Sequence, residues 1–114
     1  MNFADFFRFV KIAVFVPETH VDLLRQAMAE AGAGSMGKYE HASFSVKGTG
    51  RFRGSAASKP FVGEAGRLET VEEERVESIC PIGKVDAVLQ AIKRAHPYEE
   101  PAVDVYPLLN NGQL

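Results

Sequence analysis

The stretch Phe9-Val10-Lys11-Ile12-Ala13-Val14-Phe15-Val16, closed by Pro17, decides the fold of this 114-residue chain. Its β-branched and aromatic residues predict a strand, and Pro17 marks its end. Alternation puts Val10, Ile12, Val14 and Val16 on one face and Phe9, Ala13 and Phe15 on the other. A strand apolar on both faces belongs in the middle of a sheet, covered from two sides.

The elements that follow give that strand its partners. Thr19 is positioned as an N-cap, with Asp22 in the first turn. Val21, Leu24, Met28 and Ala31 then form a helical apolar stripe, stopped by Gly32 and Gly34. A second strand is expected at 41–47, where Ala42, Phe44 and Val46 alternate with Ser43 and Ser45. Residues 48–66 hold five of the ten glycines and Pro60, and are expected to form a long loop. A third strand is expected over 68–80, and a second helix carrying Val85, Val88, Leu89 and Ile92 follows. That helix must stop near His96, because Pro97 disfavours α geometry in the residue before it. The fourth strand is expected over 102–106. The order βαββαβ defines a ferredoxin-like α+β sandwich, with a four-stranded antiparallel sheet and both helices on one face. Residues 9–108 form the domain, 1–8 an N-terminal arm and 109–114 a loose tail. Two helices cover one face only, so strand one predicts a homo-oligomer that covers the other.

Composition narrows the function classes. The chain is 46% hydrophobic and 25% charged, with a formal net charge of −2, as in an ordinary globular domain. A dedicated nucleic-acid binder carries a basic excess that is missing here. Asp5, Arg8 and Lys11 interrupt the Phe-rich start (Phe3, Phe6, Phe7, Phe9), so it reads as an apolar arm rather than a signal peptide. No run reaches the ~18 apolar residues of a membrane span. A cytoplasmic protein without nucleic-acid or membrane partners is the expectation. The single cysteine, Cys80, leaves no internal disulfide and reads as a small core residue.

Two stretches carry candidate chemistry. From Lys47 to Arg67, five basic residues (Lys47, Arg51, Arg53, Lys59, Arg67) face Glu64 alone, whereas Glu69–Glu77 holds five glutamates against Arg75. A glycine-rich basic loop offers N–H groups and guanidinium forks to anions. The competing reading is a solvated hairpin whose charges pair with the acidic strand. Gly48-Thr49-Gly50-Arg51-Phe52-Arg53-Gly54 fits neither the P-loop nor the dinucleotide fingerprint. Glu72-Glu73-Glu74 reads as solvated or intersubunit ion pairs. In His96-Pro97-Tyr98-Glu99-Glu100-Pro101, a histidine and two carboxylates offer ligand or metal contact. The structural alternative is a stiff turn with His96 at a helix C-terminus, where its positive form is favoured. His20 and His41 lack zinc-site spacing. The ligand-binding candidates are Arg51, Arg53, Lys59, His96, Tyr98, Glu99 and Glu100. No catalytic residue, metal ligand or cofactor is expected.

These motifs together resemble a known family over residues 9–108. Val10–Val21, Gly34-x-x-Gly37-x-Tyr39, Ser43-Phe44, Gly48-Thr49-Gly50-x-Phe52 and Pro60-Phe61-x-Gly63 carry the likeness. It continues through Gly66-x-Leu68, Val71-Glu72-Glu73-x-Arg75-Val76-Glu77 and Ala95–Ala102. The chain is similar to the domain inserted in YqfO-type proteins of the Nif-three-like family, a domain resembling CutA and the signalling protein PII. The resemblance implies a free-standing version of that insert. The dimetal ligands behind the family's GTP cyclohydrolase or hydrolase labels lie in the flanking halves, with no counterpart here, so an enzyme is not expected. It also implies a trimer, with a ligand-responsive and partner-contacting loop at 48–66. Ser35 and Ala42 replace a His and a Cys common among relatives, which weakens a CutA-like metal role. The resulting expectation is a small oligomeric regulatory module that senses an anionic small molecule at subunit clefts. A CutA-like divalent-metal binder and a protein-interaction scaffold are the alternatives.

Overall fold

The computed structural model describes residues 6–109. In chain order the elements are β1 (Phe9–Pro17), α1 (Val21–Glu30), β2 (Phe44–Arg53), β3 (Leu68–Pro81), α2 (Val85–Ala95) and β4 (Val103–Pro107). The sheet order is β2-β3-β1-β4 with every neighbour antiparallel, which is the ferredoxin-like arrangement read from the sequence. β1 is central and pairs with β3 from Phe9↔Pro81 to Pro17↔Glu73.

The core lies between the sheet and the two helices. Val10, Ile12, Val14 and Val16 meet Val21, Leu24 and Met28 of α1, Val88 and Ile92 of α2, and Val76 and Cys80 of β3. Burial pushes the Cys80 thiol up to about 11, so it stays protonated and behaves as a small apolar side chain. Among the described residues, no helix is long and apolar enough to cross a membrane.

Three local expectations are corrected. Thr19 does not cap α1. It lies inside a 3₁₀ turn at Glu18–His20, and its hydroxyl meets His20 Nδ1 at 2.8 Å. The second strand begins at Phe44 rather than residue 41. Ala42 N–H donates to Gly34 O, Ala42 O accepts from the Ser78 hydroxyl, and His41 has φ +61°, so this segment is pinned as a turn. Gly34 (φ +87°) leaves the space for it, since a Cβ there would collide with the Ala42 backbone. The largest correction concerns residues 48–53, expected as loop, which continue β2 and pair with Glu73 to Leu68 of β3. The loop is therefore 54–67.

The face of the sheet away from the helices is partly self-covered. Ala13 is fully buried, and the Arg75 guanidinium sits 5.6 Å from the Phe15 ring centroid. Phe44 and Val46 of β2 and Tyr106 of β4 stay exposed on it. Phe6, of the expected N-terminal arm, is also exposed. Phe3 and the expected tail at 110–114 lie outside the described residues.

Neighbouring leucines of α1 separate core from surface. Leu24 is fully buried and Leu23 is 57% exposed. In urea unfolding, Leu24→Ala is expected to cost about 2–5 kcal/mol, and Leu23→Ala no more than about 0.5 kcal/mol. Equal losses would contradict the assigned helix face.

Candidate functional site: a cavity where the sheet outruns its central strand

β1 ends at Pro17, opposite Glu73, while β3 extends back to Leu68 with β2 as its only partner among the described residues. The corner beyond Pro17 is filled by two connections, the loop at 54–67 and the turn between α2 and β4.

His96 fixes that turn. β4 begins at Val103, so the last link to it is Phe15 N–H donating to Ala102 O at 3.2 Å. The Phe15 carbonyl is taken instead by His96 Nε2 at 2.7 Å. The other ring nitrogen, Nδ1, accepts the Tyr98 backbone N–H at 3.1 Å. One partner is an acceptor and the other a donor, so the neutral Nε2–H tautomer is the form this geometry holds. Burial lowers the His96 pKa below the ordinary histidine value, against the opposing pull of the Phe15 carbonyl and of Glu73. The expected positive His96 is thus corrected: Nδ1 would need to donate into an N–H.

With its backbone held, Tyr98 turns its ring along His96, with centroids 4.8 Å apart. Its hydroxyl donates to Glu73 Oε2 at 3.0 Å. Burial and this bond to Glu73 push the Tyr98 pKa above the ordinary phenol value. Glu73 is 9% exposed, so the Glu72-Glu73-Glu74 run is not uniformly solvated as expected. Glycine at position 50 accommodates it, because a Cβ there would overlap the Glu73 carboxylate. That explains a glycine inside a strand, where it is otherwise unfavourable.

The loop at 54–67 closes onto this turn. Lys59 N–H donates to Glu99 Oε1 at 3.2 Å, and Gly66 N–H to Gly54 O at 2.7 Å. Phe61 lies 6.3 Å from Tyr98 and edge-on to His20, and Phe52 lies 6.0 Å from Tyr98. Together these groups enclose a cavity of about 300 Å³.

Of the seven candidates, Arg51, Arg53, Tyr98, Glu99 and Glu100 line this cavity. Lys59 lies between two lining residues, Ser58 and Pro60. His96 does not line it and instead sets the position of Tyr98. The sequence reading missed Glu73, Phe52 and Phe61. A period-two reading of 69–77 against β2 puts Glu73 opposite Gly48, the one usable signal. The basic residues divide. Lys47 pairs with Glu18 of the 3₁₀ turn and Arg67 with Glu64 of its own loop; only the Arg67–Glu69 pair reaches the acidic strand, as the hairpin-pairing reading expects. Arg51, Arg53 and Lys59 form no ion pair among the described residues. Among those residues, no group of three or more His, Cys, Asp or Glu is placed to hold a metal ion.

The fold is a ferredoxin-like α+β sandwich with a cavity at one corner of its sheet. No protein-family model matches the chain. It is 48% identical over 103 residues to a GTP cyclohydrolase 1 type 2 homolog of Halalkalibacterium halodurans, covering 90% of this chain and 28% of that protein. Its identity to the Bacillus subtilis protein of the same name is 45%, over 86% of this chain and 26% of that protein. The chain thus spans about a quarter of the length of these relatives. Among solved structures, a Bacillus cereus protein related to NIF3 aligns with TM-score 0.75 and 46% identity, over 90% of this chain and 26% of that one. CutA of Synechococcus elongatus aligns with TM-score 0.65 and 19% identity, over 89% and 77% of the two chains. Bacillus subtilis GlnK, in complex with ATP, aligns with TM-score 0.61 and 15% identity, over 90% and 83%. The last two likenesses concern the fold alone.

The buried neutral His96 has a pH consequence. Its folded pKa is lowered, so the unfolded chain binds the proton first. The stabilisation is complete above about pH 6.5 and is lost as pH falls toward the folded value, by at most about 1.4 kcal/mol per pH unit. The difference in urea stability between the wild type and His96→Gln is therefore expected to shrink from pH 7.5 to pH 5. A gap that widens on acidification would contradict the neutral assignment.

Proposed function

We propose that the chain is a small binding module, oligomeric through its open sheet face, that takes an anionic small molecule in the cavity beside Tyr98. The observation that carries this reading is the split among the basic residues. Two of the five, Lys47 and Arg67, lie within 4.0 Å of carboxylates, whereas Arg51, Arg53 and Lys59, at or beside the cavity, form no ion pair among the described residues. Guanidinium groups are well suited to such a role, since they bind carboxylate or phosphate through paired N–H donors. Aromatic walls and a few polar groups complete the usual composition of a small-molecule site.

The exposed Phe44, Val46 and Tyr106 support assembly through the open face, and we propose a trimer. The cyclohydrolase name of the relatives describes proteins about three times as long, and we propose no enzymatic step for this segment. The ties between the 54–67 loop and the turn at 96–102 support a regulatory role, in which occupancy of the cavity alters that loop and its contacts.

Thermal unfolding with and without pyrophosphate tests the ligand reading, and light scattering on the same samples tests assembly. A ligand at 100 times its Kd is expected to add about 2.7 kcal/mol, raising the melting temperature by several degrees. Arg51→Ala/Arg53→Ala is expected to remove that rise and leave the mass unchanged. No rise in the wild type contradicts the anion site, and a monomeric mass contradicts assembly.

A further inference from the structure

We infer that the cavity takes a zwitterion, with an organic ammonium end seated on Glu73 and the rings of Phe52, Phe61 and Tyr98, and the acidic end at Arg51 and Arg53. This rests on the anion reading above and adds to it the chemistry of the opposite end.

Glu73 lines the cavity while being 9% exposed, and it forms no ion pair among the described residues. Its one hydrogen-bond partner among the described residues, the Tyr98 hydroxyl, holds Oε2 and brings no positive charge. A carboxylate so buried is costly unless a cation meets it. The chain nevertheless keeps the space for it by placing a glycine at position 50.

The rings beside it are arranged for the same ligand. Phe52 and Phe61 are tilted by 53° and 50° to Tyr98, at 6.0 and 6.3 Å, so the three form the sides of a recess rather than a stack. Ring faces attract a desolvated ammonium group, and a nearby carboxylate supplies the countercharge. A metal ion fits less well. Calcium takes six to eight oxygen ligands, and the described residues gather no group of three ligands anywhere. The volume of about 300 Å³ lies at the small end of ligand sites, which favours a compact molecule over an extended one. With Arg51 and Arg53 lining the same cavity, that molecule carries both charges.

Three commercial probes separate the two ends: phosphocholine with both charges, choline with the cation alone, and inorganic phosphate with the anion alone. Calorimetric titration of the full chain is expected to show phosphocholine binding at least about tenfold tighter than phosphate. Glu73→Gln keeps an oxygen for the Tyr98 hydroxyl, and is expected to erase that advantage while phosphate binds no more weakly, since a like charge has left the cavity. Phe61→Leu, at a half-exposed position, is expected to reduce the advantage without the risk of altering a buried carboxylate. Phosphocholine no tighter than phosphate, or an advantage that survives both substitutions, overturns this inference and leaves the anion site standing. Choline binding without phosphate binding overturns the anion site, and the zwitterion with it.

Discussion

A mismatch in strand length governs this structure. β1 stops at Pro17, yet β3 pairs with β2 as far as Leu68, so the hairpin end projects past the central strand with no further sheet neighbour among the described residues. A pleated surface left bare at that corner would expose backbone and apolar side chains. It is closed by the turn from α2 to β4 and by the 54–67 loop, which fill it incompletely. The candidate site is what remains between them. Its position follows from β1 ending at Pro17, not from any local binding motif.

His96 does two jobs with one ring at that corner. It satisfies the Phe15 carbonyl that β4 starts too late to pair, and it fixes the Tyr98 amide. Both are backbone contacts, so a histidine here reads as structural from its partners. Its effect on the site passes through Tyr98 to Glu73. This separates the His96–Glu100 stretch, distinctive as a unit in the sequence, into a residue that positions others and residues that face the cavity.

The architecture was legible because it rests on local periodicity. The doubly apolar β1, the stripes of α1 and α2, and the Pro97 stop each follow from residue pattern alone. The end of β2 was not legible, since Gly48 and Gly50 have poor strand propensity and only the long β3 partner holds them in the sheet. Thr19 looked like a helix cap because nothing local shows that a 3₁₀ turn comes first. Glu73 looked like one of three equivalent glutamates; its burial depends on Tyr98, 25 positions away, and on the missing side chain at Gly50. For the same reason the basic stretch of 47–67 could be read as anion-binding or self-paired. The fold separates them: Lys47 and Arg67 lie beside carboxylates, and Arg51 and Arg53 line the cavity.

The central claim is that the corner cavity, rather than the open sheet face, receives the anion. Amide-resolved NMR during a pyrophosphate titration tests it most directly. The account predicts shift changes concentrated in 51–61 and 98–102, with Gly50 following, and little change at Phe44 or Val46. Changes centred on Phe44 and Val46, with 51–61 and 98–102 unmoved, would contradict it.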